Sequence, residues 1–377
     1  MPSLTTESPL AERHRAAGAE LAPYFGVGLP AQFSDPLAEY RLARQAAALV
    51  DTNFRAVFSI TGPDRVRYLN AVLTSNVRDL VPGQGALGLL LNSQGRILAE
   101  LETLALADRL IVLGHQLVGP KTAETLEKFI IMDDATFAEE TAQMGTVAVE
   151  GPRAEEIVRK TAGVEWASLT EYGHTAATVQ SSSGAIPCRV IRRSLYGFPG
   201  AEFLASRDTL GLLWDSLAAA VRAHGGAPIG YRALNILRLE AGIPWFGADF
   251  DERQIPHEAA LEKSHISYIK GCYTGQEIVE RVRSRGQVHR RRVGLQFAGA
   301  TPPTAGAALM AGGSEVGSVT SAAFSPLVGR AIGFGYLRQE CNTPGSMLEC
   351  AGTSSQMGAE VIELPLRSTL APTASAS

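Results

Sequence analysis

The sequence is poor in cysteine and pairs none of it closely. Cys188, Cys272, Cys341 and Cys350 are the four thiols in 377 residues, and no C-x-x-C spacing occurs. That excludes a zinc ribbon, and a cluster held only by closely spaced cysteines of this chain. Four thiols in so long a chain do not make a disulfide scaffold either, and a reducing cytoplasm is the expected setting. No H-x-x-x-H spacing is present, so His257 and His265 read as structural or exposed rather than as metal ligands, and no resident metal is expected. There is no run of eighteen apolar residues, so no transmembrane helix is expected and no membrane partner. Met1 to Pro23 carries Glu12, Arg13, Arg15 and Glu20 and lacks the apolar stretch of a signal peptide. A basic excess is missing as well. The net charge is −4, so any nucleic-acid contact must rest on a local patch.

What is present is ordinary for a globular chain of two or three domains, with 45% hydrophobic and 19% charged residues. Residues 1–35 read as a flexible N-terminal extension, and 367–377, rich in Ser, Thr and Ala, as a disordered tail. Between them the pattern is α+β. Ala56 to Ile60 predicts a strand, and Thr61-Gly-Pro-Asp64 opens a helix through Val72. Leu87 to Leu91, Arg96 to Leu106 and Leu110 to Leu113 predict a meander, with Asn92 to Gly95 as its first turn. This gives a first α+β domain over 36–145 and a second over 146–288. From Val293 onward, short apolar segments separated by Gly and Pro predict a small β-barrel or sandwich over 289–366.

The stretch with the clearest chemistry is Lys270-Gly-Cys-Tyr-Thr-Gly-Gln-Glu277. Thr274 and Glu277 fit a capping box, which predicts a helix from there to Gly286. Cys272 then sits just before a helix N-terminus, with Lys270 two residues away, and both features favour a thiolate. The local physics leaves two readings open. One is a reactive thiolate; the other is a buried, inert cysteine beside a solvated lysine.

K-G-C-Y-T-G-Q-E resembles the signature of the YgfZ group of folate-binding proteins, relatives of the glycine-cleavage aminomethyltransferase. The resemblance extends to Thr61-Gly-Pro-Asp64, Pro82-Gly-Gln-Gly85 and Gly95-Arg-Ile-Leu98. It continues through Arg238-x-Glu240-x-Gly242-x-Pro244-x-x-Gly247-x-Asp249, and so covers about residues 40 to 340. It implies a glycine-cleavage T-protein-like ring of domains ending in an antiparallel β-barrel. Its implied ligand is tetrahydrofolate or a one-carbon derivative. The implied role is assembly or repair of iron–sulfur clusters, including support of tRNA-modifying iron–sulfur enzymes, with iron–sulfur enzymes or assembly proteins as partners. On the same resemblance Cys272 and Lys270 are the working pair, supported by Tyr273, Gln276 and Glu277.

Two segments depart from the transferase pattern. Where that enzyme places an acidic pair, with a catalytic aspartate near the reacting folate nitrogen, this chain has Ala99 and Glu100. An alanine cannot stabilise a developing cation, and the longer glutamate displaces its carboxylate. Tyr196 to Glu202 is similar to the Y-T-G-E-D-G-x-E stretch, with Phe198 replacing its first glutamate and Glu202 matching its second. A carboxylate suits the N–H donors of a pterin, so Glu202 is a candidate pterin ligand, the alternative being a solvated strand-edge residue. Arg238 and Glu240 are candidates for holding folate or for a structural ion pair.

The densest positive cluster runs from Arg281 to Arg292. Arginine forks there suit a folate polyglutamate tail, an RNA backbone or an acidic protein surface; a solvated helix face is the plain alternative. Three functions therefore stand: an iron–sulfur maintenance factor acting through Cys272, a tetrahydrofolate-dependent aminomethyl- or methyltransferase, and a non-catalytic RNA- or protein-binding scaffold. A monomer is expected.

Overall fold

The structure, a computed structural model, describes residues 6–286, 288–351 and 356–366. The chain divides into two compact units. One comprises Met1–Leu234 with Phe250–Gln287, and the other Asn235–Asp249 with Val288–Ser377. The first unit holds most of both expected α+β segments, but Asn235–Asp249, expected within the second, groups with the expected barrel.

In the first unit, a five-stranded antiparallel sheet runs in the order Gly85–Leu91, Ile97–Ala105, Leu110–His115, Arg55–Thr61, Thr136–Glu139. The helix Arg65–Val72 covers one face, burying Tyr68, Leu69 and Val72 against Ala56, Phe58, Ala99 and Leu101. A six-stranded sheet runs His174–Ser181, Gly184–Arg192, Gly200–Ser206, Met144–Glu150, Ala48–Asp51, Ala227–Pro228. Its last pair is parallel and the others antiparallel. Arg207–Ala223 packs on it through Leu210, Leu213, Trp214 and Leu217, the i, i+3, i+4, i+7 stripe of an amphipathic helix. Ala48–Asp51 thus belongs to the second sheet, although it precedes every strand of the first in the chain.

The expected flexible extension is a correction. Thr6–Glu7, Glu20–Tyr24 and Val27–Gln32 form a three-stranded sheet, and Ala11–Ala16 is a short helix. A buried hydrogen-bond network holds it. His14, fully enclosed by Phe33 and Trp214, lies 2.7 Å from Asp51 through Nε2, and Ser8 donates to the same carboxylate at 2.5 Å. The tail expected over 367–377 lies outside the described residues.

In the second unit, six strands close an antiparallel barrel. Their order is Arg290–Phe297, Arg330–Arg338, Ser314–Ser325, Ala308–Ala311, Met347–Ala351, Gln356–Ile362, the last pairing back to the first. Leu295, Phe297, Leu309, Val319, Leu337 and Val361 fill it. Closure removes the exposed edges that an open sheet would carry.

Candidate functional site

Strand periodicity builds the site. Side chains alternate faces along a strand, so residues two apart share one. On Ile97–Ala105, Ala99 and Leu101 enter the core beneath the helix Arg65–Val72, while Leu104 joins Val57, Leu113, Ile191 and Leu204 in the core between the two sheets. Glu102 and Glu100 continue the face of Leu104. Arg55 continues that of Val57, His115 that of Leu113, and Glu202 that of Leu204. The inter-sheet core therefore changes from apolar to charged along its length.

Three of these groups, Arg55, Glu102 and Glu202, form a cluster with Arg193. Arg55 donates to both oxygens of Glu202, at 3.2 and 3.0 Å, and to Glu102 at 3.3 Å. Arg193 donates to Glu102 at 2.7 Å. Burial works against the charge of Arg55, but the carboxylates of Glu202 and Glu102 outweigh it and raise its pKa. Glu102 is fully buried; burial raises its pKa despite Arg55, and its Oε1 has no hydrogen-bond partner.

Beside this cluster stands a second arrangement around Glu100. His265 meets Oε1 through Nε2 at 3.0 Å, and His115 meets Oε2 at 3.3 Å. Burial would favour the neutral acid, yet the two histidine hydrogen bonds overcome it and hold Glu100 well below the usual carboxylate range. An ionised carboxylate only accepts, so both Nε2 atoms carry hydrogen. Ser264 Oγ lies 2.8 Å from Nδ1 of His265 and holds the ring from its other side. Burial lowers the pKa of His115 and keeps it neutral. Phe54 stacks on its ring at 5.1 Å. Nothing in the sequence pointed to His115 or His265 as partners of Glu100, because each pairing joins residues distant in the chain. The usable signal was the two-residue spacing of Glu100 and Glu102 inside a mostly apolar strand.

Cys272 is exposed, on a loop of the first unit. The helix that follows is Gln276–Arg285, and the expected capping box does not form. Gly275 is the N-cap, at φ 82°, with no side-chain cap. A Cβ there would stand 2.6 Å from the Asn92 carbonyl oxygen, so the loop seats against the 92–95 turn only because residue 275 is glycine. Lys270 turns inward, donating to the carbonyls of Asn70 at 2.5 Å, Ser75 at 2.9 Å and Leu73. Burial, with a smaller contribution from Arg78, pushes its amine down to about 8. Tyr273 is buried with its hydroxyl unpartnered and its ring under the Lys270 ammonium at 5.2 Å. Gln276 is half-buried and Glu277 exposed.

Arg238 and Glu240 belong to the second unit, where both are buried. Arg238 donates to Asp249, and to Asn235 at 2.9 Å, with Trp245 4.4 Å from its guanidinium. Asp249 in turn accepts from Thr320 at 2.7 Å and Ser321 at 2.6 Å. Glu240 accepts from Ser325 at 2.5 Å. The arginines expected to act as one patch fall in different units. Arg283 lies over Tyr268 and beside Glu280 in the first, while Arg290 and Arg292 lie over Tyr336 and Phe334 in the second.

Residues 10–264 match the family described as the GCVT N-terminal domain, and residues 290–366 the glycine cleavage T-protein C-terminal barrel domain. The chain belongs to the glycine-cleavage T-protein family. Proteins named aminomethyltransferase are similar along nearly its whole length. That of Herpetosiphon aurantiacus is 28% identical over 361 residues, covering 95% of this chain and 97% of its own. That of Halothermothrix orenii is 27% identical over 366 residues, covering 95% and 99%. The glycine cleavage system aminomethyltransferase T of Bartonella henselae shares the fold, with a TM-score of 0.87 at 24% identity over 97% of this chain and 99% of that one. No helix among the described residues is long and apolar enough to cross a membrane.

Proposed function

We propose that this T-protein-family chain binds tetrahydrofolate and acts on a one-carbon group in the manner of an aminomethyltransferase, with Glu100 as the charged group at the reacting centre. The observation that carries this reading is the ionised carboxylate of Glu100, held between His115 and His265. Aminomethyl transfer develops positive charge on nitrogen, and a buried, fixed carboxylate stabilises it without reorganising. His115 and His265 do not move a proton in this reading. They hold the carboxylate in place and keep it charged.

The donor set fits a folate. A pterin offers N–H groups, and the inter-sheet face offers carboxyl oxygens, including the buried, unpartnered Oε1 of Glu102. Glu102 would receive those N–H groups together with Glu202, through lone pairs that Arg55 leaves available. Tetrahydrofolate supplies the nitrogens that accept the one-carbon unit. Arg238 and Glu240 contribute by holding Asn235–Asp249 to the strand Ser314–Ser325. The test is incubation of the purified chain with tetrahydrofolate and an aminomethyl donor. Methylenetetrahydrofolate formation supports the reading, and its absence from a folate-binding preparation removes it.

A second reading rests on Cys272. The K-G-C-Y-T-G-Q-E run resembles the YgfZ signature, and the thiol at its centre is exposed on a fixed loop. In this reading the chain maintains iron–sulfur enzymes through that thiol. Extracts of a host lacking such a factor would regain iron–sulfur enzyme activity with the wild-type chain and not with Cys272→Ala.

A further inference from the structure

Lys270 lies two residues from the exposed thiol, yet its geometry is that of a fastener. An ammonium has three N–H donors, and the carbonyls of Asn70, Leu73 and Ser75 take all three. None remains for Cys272. The carbonyls gather at the C-terminal end of the helix Arg65–Val72, where backbone oxygens lack helical partners and a cation is favoured. The same loop is stitched to the same stretch on both sides. Ser267 donates from its backbone N–H to Thr74 at 2.9 Å, and Thr274 to Ala71 at 3.2 Å. The Thr74 hydroxyl donates to the carbonyl of His265 at 2.6 Å, which joins this stitching to the histidine that holds Glu100. Between the stitches Gly271 faces open space and Cys272 is exposed.

We propose that Lys270 is a positioning residue whose ammonium fills a three-carbonyl cradle and so fixes the loop that presents Cys272, and that it exchanges no proton with the thiol. The clip operates whether or not the chain transfers a one-carbon group, so its test needs no turnover.

The experiment is hydrogen exchange on the full chain, read on the peptide spanning Ser267 to Thr274, together with the pH dependence of Cys272 alkylation. In Lys270→Ala the peptide should exchange about tenfold faster or more, while the strand Ile97–Ala105 keeps its protection. Methylammonium, which can re-enter the cradle, should restore protection in Lys270→Ala; tetramethylammonium, which has no N–H donor, should not. The alkylation midpoint should stay at the wild-type value. Lys270→Arg keeps the charge but replaces three convergent donors with a planar fork, and should loosen the same peptide. Unchanged exchange in both variants would overturn the clip. So would a rise of about one pH unit or more in the alkylation midpoint of Lys270→Ala, because that marks the lysine as the thiol's electrostatic partner.

Discussion

Ala99 and Glu100 are neighbours in the chain that point into different cores. Ala99 is fully buried beneath the helix Arg65–Val72, and Glu100 lies on the opposite face between two histidines. The sequence suggested that the missing acid at 99 weakens a transferase-like centre. The strand geometry removes that objection, since a carboxylate at 99 would face Leu69 and Phe58, not Glu100. An alanine is what an apolar core asks for at that position.

Removing Arg55, which is buried and paired with two carboxylates, should destabilise the first unit strongly. Arg55→Met takes away the two hydrogen bonds that hold the buried Glu202 carboxylate and leaves it only Arg193, at 3.6 Å, a loss of about 3–5 kcal/mol. Denaturant unfolding would show it. Pairing the change with Glu202→Leu should recover part of the loss, since one uncompensated charge is then gone.

Acid should weaken the fold within a defined window. Burial, aided by Arg189, pushes His174 down to about 4 from an ordinary 6.5, and burial also lowers His115. The folded chain keeps both neutral where the unfolded chain binds protons. Stability is therefore full above about pH 6.5 and falls as the pH drops toward 4. Glu100 adds to the fall at lower pH. Its histidines hold it below the ordinary 4.5, so its share is present above that value and is lost as the carboxylate protonates. Comparing unfolding midpoints at pH 7.5 and pH 5, His174→Gln should shrink the drop by about 2 kcal/mol. An equal drop in the variant would rule His174 out as a source.

Gly275→Ala meets the Asn92 carbonyl and a left-handed backbone at once. The expected destabilisation is about 1–3 kcal/mol, seen as a lower Tm with the barrel unit unaffected.

The sequence showed clearly those elements whose signal is local. The meander around Asn92 to Gly95 and the Gly- and Pro-separated segments after Val293 carry their own periodicity and turns, and both fold as read. The N-terminal extension carries none. Its order depends on His14 reaching Asp51, and a lone histidine among charges gives no sign of such a partner. Thr274 and Glu277 satisfied a capping pattern, but Thr274 spends its backbone N–H on Ala71 and leaves the cap to Gly275. The candidate site was half visible. Glu100 and Cys272 stood out by motif, whereas His115, Arg55 and Arg193 became functional candidates only once strand register placed them beside buried carboxylates.

Turnover by Glu100→Gln tests the central claim most directly. The substitution keeps the shape and removes the charge that His115 and His265 hold. With tetrahydrofolate and an aminomethyl donor, the variant should form methylenetetrahydrofolate about 10²–10³-fold more slowly than wild type, with tetrahydrofolate affinity unchanged. A variant as fast as wild type would contradict the role assigned to Glu100.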